Sequence, residues 1–257
     1  MLSVIIIAKD EEKMIGGALS SVSWADEVIV AVDPRTKDKT AQIARKFKAK
    51  VLHLAKVGNF SSRKNFVHKK ASYSWVLYLD ADERITPKLA SEIKKVITKG
   101  KNEDEKAAFV IPRRNILLGK EMKHGGWWPD GVLRLIKKDA LEGWEGELHE
   151  QPRIIGKIGE LKNYMIHISH RSLSEMLAKT NDWSEIEARL MFEAGHPKMT
   201  VLRFLSAMFR EFCYRGIVKL GFLDGTVGVI EIIYQVFSRF ISYAKLWEMQ
   251  NNARRNL

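Results

Sequence analysis

One cysteine, Cys213, stands in 257 residues. No intrachain disulfide framework and no cysteine metal cluster can be built from it. A reducing cytoplasm is the compartment that fits. No run of 18 apolar residues is free of charge, which argues against a membrane-spanning helix. Repeats and low-complexity tracts are lacking too. The N-terminal MLSVIIIAKDEE holds an apolar run too short for a signal sequence, with no basic flank before it and acids directly after. It reads as a buried first strand. Acids are the scarcer charge, 31 against 43 bases, for a formal net charge of +12. That excess favours anionic partners: nucleotides, phosphorylated sugars, nucleic acid or an anionic membrane face.

What is present alternates. LSVIIIA, EVIVAVD, AKVLHL and WVLYLD are apolar runs of strand length, and helical spacing separates them in EEKMIGGALSSVSWA, KTAQIARKF and SSRKNFVHKKA. In TPKLASEIKKVIT, Thr86 is placed to cap a helix with Pro87 at its first position. Such alternation predicts an α/β fold with a mostly parallel sheet flanked by helices. AFVIPRRNILLG, GVLRLIKK and MIHISH read as further strands, and residues 173–250 as helices. The expected organisation is residues 1–171 as a catalytic domain, in halves 1–105 and 106–171, followed by a helical region over 172–257.

Ligands of open α/β sheets bind beyond the carboxyl ends of the strands. Asp10, Asp33 and Asp80 follow three of those ends. Asp80-Ala81-Asp82 puts two carboxylates on alternate residues, a hard-oxygen pair suited to Mg²⁺ or Mn²⁺ with positions left for phosphates. The plain alternative is a solvated turn, since a bare D-x-D recurs by chance.

SVIIIAKDEE, VIVAVDPRTKDKT, FSSRKNFVHKKASYSWVLYLDADE, GGWWPDGVLRLIKK and ELHE follow one another in this order. The series resembles glycosyltransferase family 2, with a GT-A fold, and within it the branch of lipopolysaccharide-core β-glucosyltransferases. The resemblance implies an inverting hexosyl transfer, glucose being the first candidate, from a UDP-sugar donor to a lipid-linked glycan acceptor, with a divalent metal. It implies donor contacts from Ala8, Asp10, Glu11, Asp33, Arg63, Asn65, Asp80 and Ala81, and metal contacts from Asp82 and Asp80. Pro34 and Arg35 depart from the family's small residues after the second strand. Asp33 could equally cap a turn, Asp10 or Glu11 serve a helix N-terminus, and Arg63 with Lys64 form a solvated helix face.

An inverting transfer needs a base opposite the leaving diphosphate. The candidates are Glu150 first, then Glu147 and Asp130; each could be an ordinary loop acid. His149 could orient Glu150. Trp127 and Trp128 could stack on acceptor sugars or plug a loop. Arg134 could meet phosphate or acceptor, or pair with an acid. His167 is a possible further metal ligand, or a turn histidine.

The C-terminal helices mix aromatic and aliphatic residues with Arg203, Arg210, Arg215, Lys219, Arg239 and Lys245. They suit peripheral attachment to the inner face of an anionic cytoplasmic membrane, or a homo-oligomer interface. Rival readings are a nucleotidyltransferase, which AKDEEKM argues against because it lacks a Gly-rich basic signature; a nucleic-acid-binding protein, which the spread of the bases argues against; and a non-catalytic membrane scaffold.

Overall fold

The computed structural model describes residues 1–54, 59–98, 106–146 and 150–255. The chain divides into two compact units: residues 1–114 with 130–167, and residues 115–129 with 168–257.

The first unit begins β1 (Leu2–Ala8), α1 (Ile15–Ser21), β2 (Glu27–Val32), α2 (Thr40–Lys46), β3 (Lys50–His53), α3 (Phe60–His68) and β4 (Trp75–Tyr78). β5 (Glu83–Ile85) and α4 (Pro87–Thr98) follow, then β6 (Ala108–Leu117). β7 (Lys120–Glu121) and the residues it pairs with, Ile116 and Leu117 at the end of β6, all belong to the second unit. β8 (Gly131–Lys137), β9 (Leu141–Glu145), β10 (Gln151–Ile154), β11 (Ile158–Glu160) and β12 (Met165–Ser169) complete the strands. The main sheet runs β3-β2-β1-β4-β8-β6-β12-β5. Its first four strands are parallel, and β8 and β6 join antiparallel. β9 and β10 form a separate hairpin.

The unbroken apolar runs of β1, β2 and β4 reflect burial on both faces. Val4, Ile6, Val30, Leu77 and Leu79 face one core, under Ile15 and Leu19 of α1 and Leu89 and Ile93 of α4. The intervening Ile5, Ile29, Ala31, Val76 and Tyr78 face the other, against Val67 of α3 and Trp144 of β9. Thr86 accepts the Leu89 N–H (3.3 Å) ahead of Pro87, as its place in the sequence suggests.

A buried histidine makes the second core pH-sensitive. His68 Nε2 is 2.9 Å from the Lys138 carbonyl, so it must carry the proton and donate, and Nδ1 then accepts from Tyr78 Oη at 2.7 Å. Both nitrogens are satisfied in the neutral ring. Burial, more than the opposing Lys138 carbonyl bond, lowers the His68 pKa from 6.5. The unfolded chain therefore takes up the proton first. The contribution is whole above about 6.5 and is lost as pH falls through the depressed folded value. Thermal melts of the wild type should fall in midpoint on acidification from neutrality, and His68→Gln should flatten that fall. Parallel pH dependences would contradict it.

The second unit contains α5 (Leu173–Glu193), α6 (Val201–Phe212), a π-helical turn (Cys213–Val218), a 3-10 turn (Gly221–Asp224) and α7 (Gly225–Arg255). Thr180 bonds Tyr234 (2.7 Å) and Ser242 bonds Glu187 (2.6 Å), tying α5 to α7. Asp224 accepts the backbone N–H groups of Lys123 (3.0 Å) and His124 (2.8 Å), anchoring the 119–127 loop. A methyl at Gly228 would collide with the Gly221 carbonyl oxygen, so the first turn of α7 requires glycine there.

Candidate active site

The loops after β1 and β2 are stitched together. Asp10, with φ of 54°, accepts the Lys37 N–H at 2.8 Å. The Glu11 N–H donates to Thr40 Oγ1 (2.8 Å), and the Glu12 N–H to Asp38 (2.7 Å). The Glu11 carbonyl accepts from Met14 (3.0 Å) and Ile15 (2.9 Å), so this loop leads into α1. Asp33 is buried, and its N–H bonds the Ala8 carbonyl (3.0 Å). Its carboxylate accepts the Arg35 N–H, Nε and Nη2 at 2.9, 3.0 and 2.9 Å, and Arg63 Nη1 from α3. The Arg35 hydrogen bonds, assisted by Arg63 and opposed by burial, hold this carboxyl far below the usual range. The departure at Pro34-Arg35 thus closes a guanidinium onto Asp33. Ala8 and Ala81 turn their methyls into the core, so backbone is what they offer a ligand.

β4 delivers the acidic turn. Glu83 is 0% exposed, and its carboxylate accepts the Asp80 N–H (2.9 Å), Arg134 Nη2 (2.7 Å) and Arg113 Nη1 (3.3 Å). Arg134, 7% exposed, also bonds Asp80 Oδ2. Burial opposes its charge, but Asp80 and Glu83 outweigh that and raise its pKa. Burial likewise works against the Asp80 carboxylate, and Arg134 followed by Lys64 reverses it, so Asp80 stays ionised below its ordinary range. Arg113 Nε holds Asp130 at 2.9 Å. Lys64 lies 4.1 Å from the Trp144 ring centre and pairs with Glu150 at 3.3 Å. Burial, only partly offset by Glu150, lowers the Lys64 pKa. Asn65 clasps the Trp144 backbone, donating to its carbonyl (3.0 Å) and accepting from its N–H (2.8 Å), which joins α3 to β9.

Asp82 is set apart from this network. Its carboxylate is 28% exposed and lies 3.5 Å from His167 Nε2. The pair arises because β12 runs antiparallel to β5, with His167 opposite Glu83. Arg84 donates to the carbonyls of Ala81 (2.8 Å), Glu83 (2.7 Å) and Met14 (2.8 Å), fixing the turn against the entry to α1.

The first unit thus joins Asp80, Arg134 and Asp130 into one charged network through Glu83 and Arg113, while the separate Lys64–Glu150 pair acts on Asp80 through space and Asp82 with His167 lies alongside. Arg134, one of whose expected sites was the acceptor, is occupied by two acids. Glu147 and His149 lie outside the described residues. Trp127 and Trp128 belong to the second unit. There Trp127 packs edge-on to His170, with ring centres 5.6 Å apart, and Trp128 is exposed. Sequence reading gave no role to Arg113 or Arg84, placed Glu83 only among the acids after β4, and offered for Lys64 only the alternative of a solvated helix face. A double arginine interrupting the apolar strand AFVIPRRNIL was the available signal.

These acids follow strands of a largely parallel sheet, and the stretch that supplies most of them is the one a family model recognises. The model for Glycosyl transferase family 2 matches residues 3–143, more than half of the chain. The chain belongs to glycosyltransferase family 2. It is a glycosyltransferase with the GT-A arrangement of a mostly parallel sheet flanked by helices, and the family's activity uses a nucleotide-sugar donor. This glycosyltransferase is similar to an uncharacterized glycosyltransferase of Rickettsia typhi, 27% identical over 263 residues, covering 98% of this chain and 89% of that protein. It is also similar to the lipopolysaccharide core biosynthesis glycosyltransferase LpsC of Rhizobium meliloti, 24% identical over 262 residues, covering 96% and 92%. Among solved structures, S. aureus TarS 1–349 in complex with UDP-GlcNAc shares the fold at a TM-score of 0.50 and 17% identity, covering 99% of this chain and 92% of that one.

Proposed function

We propose that this glycosyltransferase moves a hexose, glucose being the first candidate, from a UDP-sugar to a lipid-linked surface glycan of the lipopolysaccharide-core type, with inversion at the anomeric carbon. The observation that carries the reading is the grouping of Asp80, Asp82 and their partners directly beyond β4, where an α/β sheet presents ligands. The similarity to the lipopolysaccharide core biosynthesis glycosyltransferase of Rhizobium supports the acceptor class.

A divalent cation fits as the complement of the donor diphosphate. Asp82 offers a hard oxygen and His167 a nitrogen, 3.5 Å apart and partly exposed. Among the described residues no three His, Cys, Asp or Glu side chains form a complete cage, so phosphate and water would fill the remaining positions, as is usual for Mg²⁺. Bound there, the cation would supply positive charge to the departing diphosphate. Asp80, held by Arg134, is fixed to accept from the donor's ribose or lie beside the cation. Asp33, gripped by Arg35 and Arg63, serves the nucleoside end. Glu150 is the base that takes the acceptor proton, and Lys64 sets its position.

The test is a screen of UDP- and GDP-sugars for nucleotide release with Mn²⁺ or Mg²⁺. A UDP-hexose is expected to give cation-dependent release, stimulated by a lipid-linked oligosaccharide. Release from GDP-sugars alone would overturn the donor assignment.

A further inference from the structure

The second unit leaves an apolar surface open to solvent. Eleven large apolar side chains between residues 201 and 223 are exposed, among them Leu202 at 78% and Phe209 at 69%. On α6, Val201, Leu205, Phe209 and Phe212 recur at helical spacing and share one face with Leu202. Ala207, which is buried, lies on the opposite side. Arg203 and Arg210, seven residues apart, line up together along one edge of the exposed side. Exposed apolar side chains gathered on one helix face in this way mark an interaction site.

Charge selects the occupant. Over residues 198–224 there are five bases, Lys198, Arg203, Arg210, Arg215 and Lys219, and two acids, Glu211 and the buried Asp224. α5 has the opposite bias, with five acids and two bases. Apolar exposure and positive charge therefore coincide on one segment. We propose that α6 and the two short turns after it dock in the plane of an anionic phospholipid surface, with Leu202, Leu205 and Phe209 below the headgroups and Arg203 and Arg210 among the phosphates. Long basic side chains reach headgroups from such an edge.

Two other occupants fit less well. A two-fold pairing with a second copy would set this basic segment against itself, because the same patch meets on both sides. A spanning helix has a candidate, since Gly221–Asn252 is long and apolar enough by composition. Yet α7 is bound along its length to α5 by Tyr234, Ser242 and Lys245, and its buried Glu231 is paired with Gln235 at 2.7 Å. Crossing a bilayer would break those contacts or drag the acids of α5 with them.

This deepens the acceptor reading above, which it rests on for its purpose. Vesicle sedimentation reads no catalysis, so the two fail separately. The full chain should sediment with vesicles of phosphatidylglycerol mixed with phosphatidylcholine, and far less with phosphatidylcholine alone. Arg203→Gln with Arg210→Gln should weaken that binding about 25-fold, some fivefold per base. Leu205→Asp with Phe209→Asp should abolish it without lowering the melting temperature, because both side chains are exposed. In Phe209→Trp, the new indole should be quenched by lipids brominated near the headgroup. The proposal is overturned by equal binding to neutral vesicles, by retention in membranes after alkaline carbonate extraction, or by a lipid-free dimer that Leu205→Asp with Phe209→Asp dissolves while vesicle binding is absent.

Discussion

Asp82→Ala is expected to reduce cation-dependent nucleotide release from the donor about 10²- to 10³-fold, the several kcal/mol that a Lewis-acid cation contributes to a departing oxyanion. The variant should fold normally. Asp82 is partly exposed beside His167, whereas the neighbouring Glu83 is fully buried under two guanidinium groups. Turnover and melting temperature measured on one preparation separate the two roles. A variant that melts like the wild type and releases nucleotide at the wild-type rate would remove Asp82 from the chemistry.

The second large effect is expected at Glu150→Gln. Removing a general base typically costs about 10²- to 10⁴-fold in the proton-transfer step. The amide keeps the shape of the side chain and can still sit near Lys64, so donor affinity should stay within a few-fold while transfer to the acceptor collapses. Glu150 and Asp130 differ in what holds them. Glu150 meets an ammonium whose charge is already strained by burial, and Asp130 meets the guanidinium of Arg113. Full transfer activity in Glu150→Gln, with loss in Asp130→Asn, would move the base to Asp130.

Much of the fold was legible because β1, β2 and β4 are buried on both faces, which imposes unbroken β-branched and aliphatic runs between helical segments. Boundaries were less so. The spacing over 11–25 suggests a long first helix, but the helix forms only over Ile15–Ser21, since Asp10 adopts a left-handed backbone and Glu11 is spent on a turn. β5, β7 and β11 are two or three residues long, too short to show a period. In the site, the acids after each strand were visible as local pattern. The Glu83–Arg134 and Glu83–Arg113 pairs were not, because they join residues 51 and 30 positions apart. Lys64 looked solvated because a basic pair on a helix usually is. Only the closure of β9 over α3 buries it. For Trp127 the sequence left a sugar platform and a loop plug open together, and the fold sets its ring edge-on to His170.

The central claim is that the Asp80-Asp82 turn receives the donor's diphosphate together with a cation. A crystal structure of the protein with UDP and Mn²⁺ tests it most directly. Manganese is expected between Asp82 and the phosphate oxygens, with the uracil toward Asp33. Uridine diphosphate bound away from this turn, or bound at it with the metal elsewhere, would contradict the account.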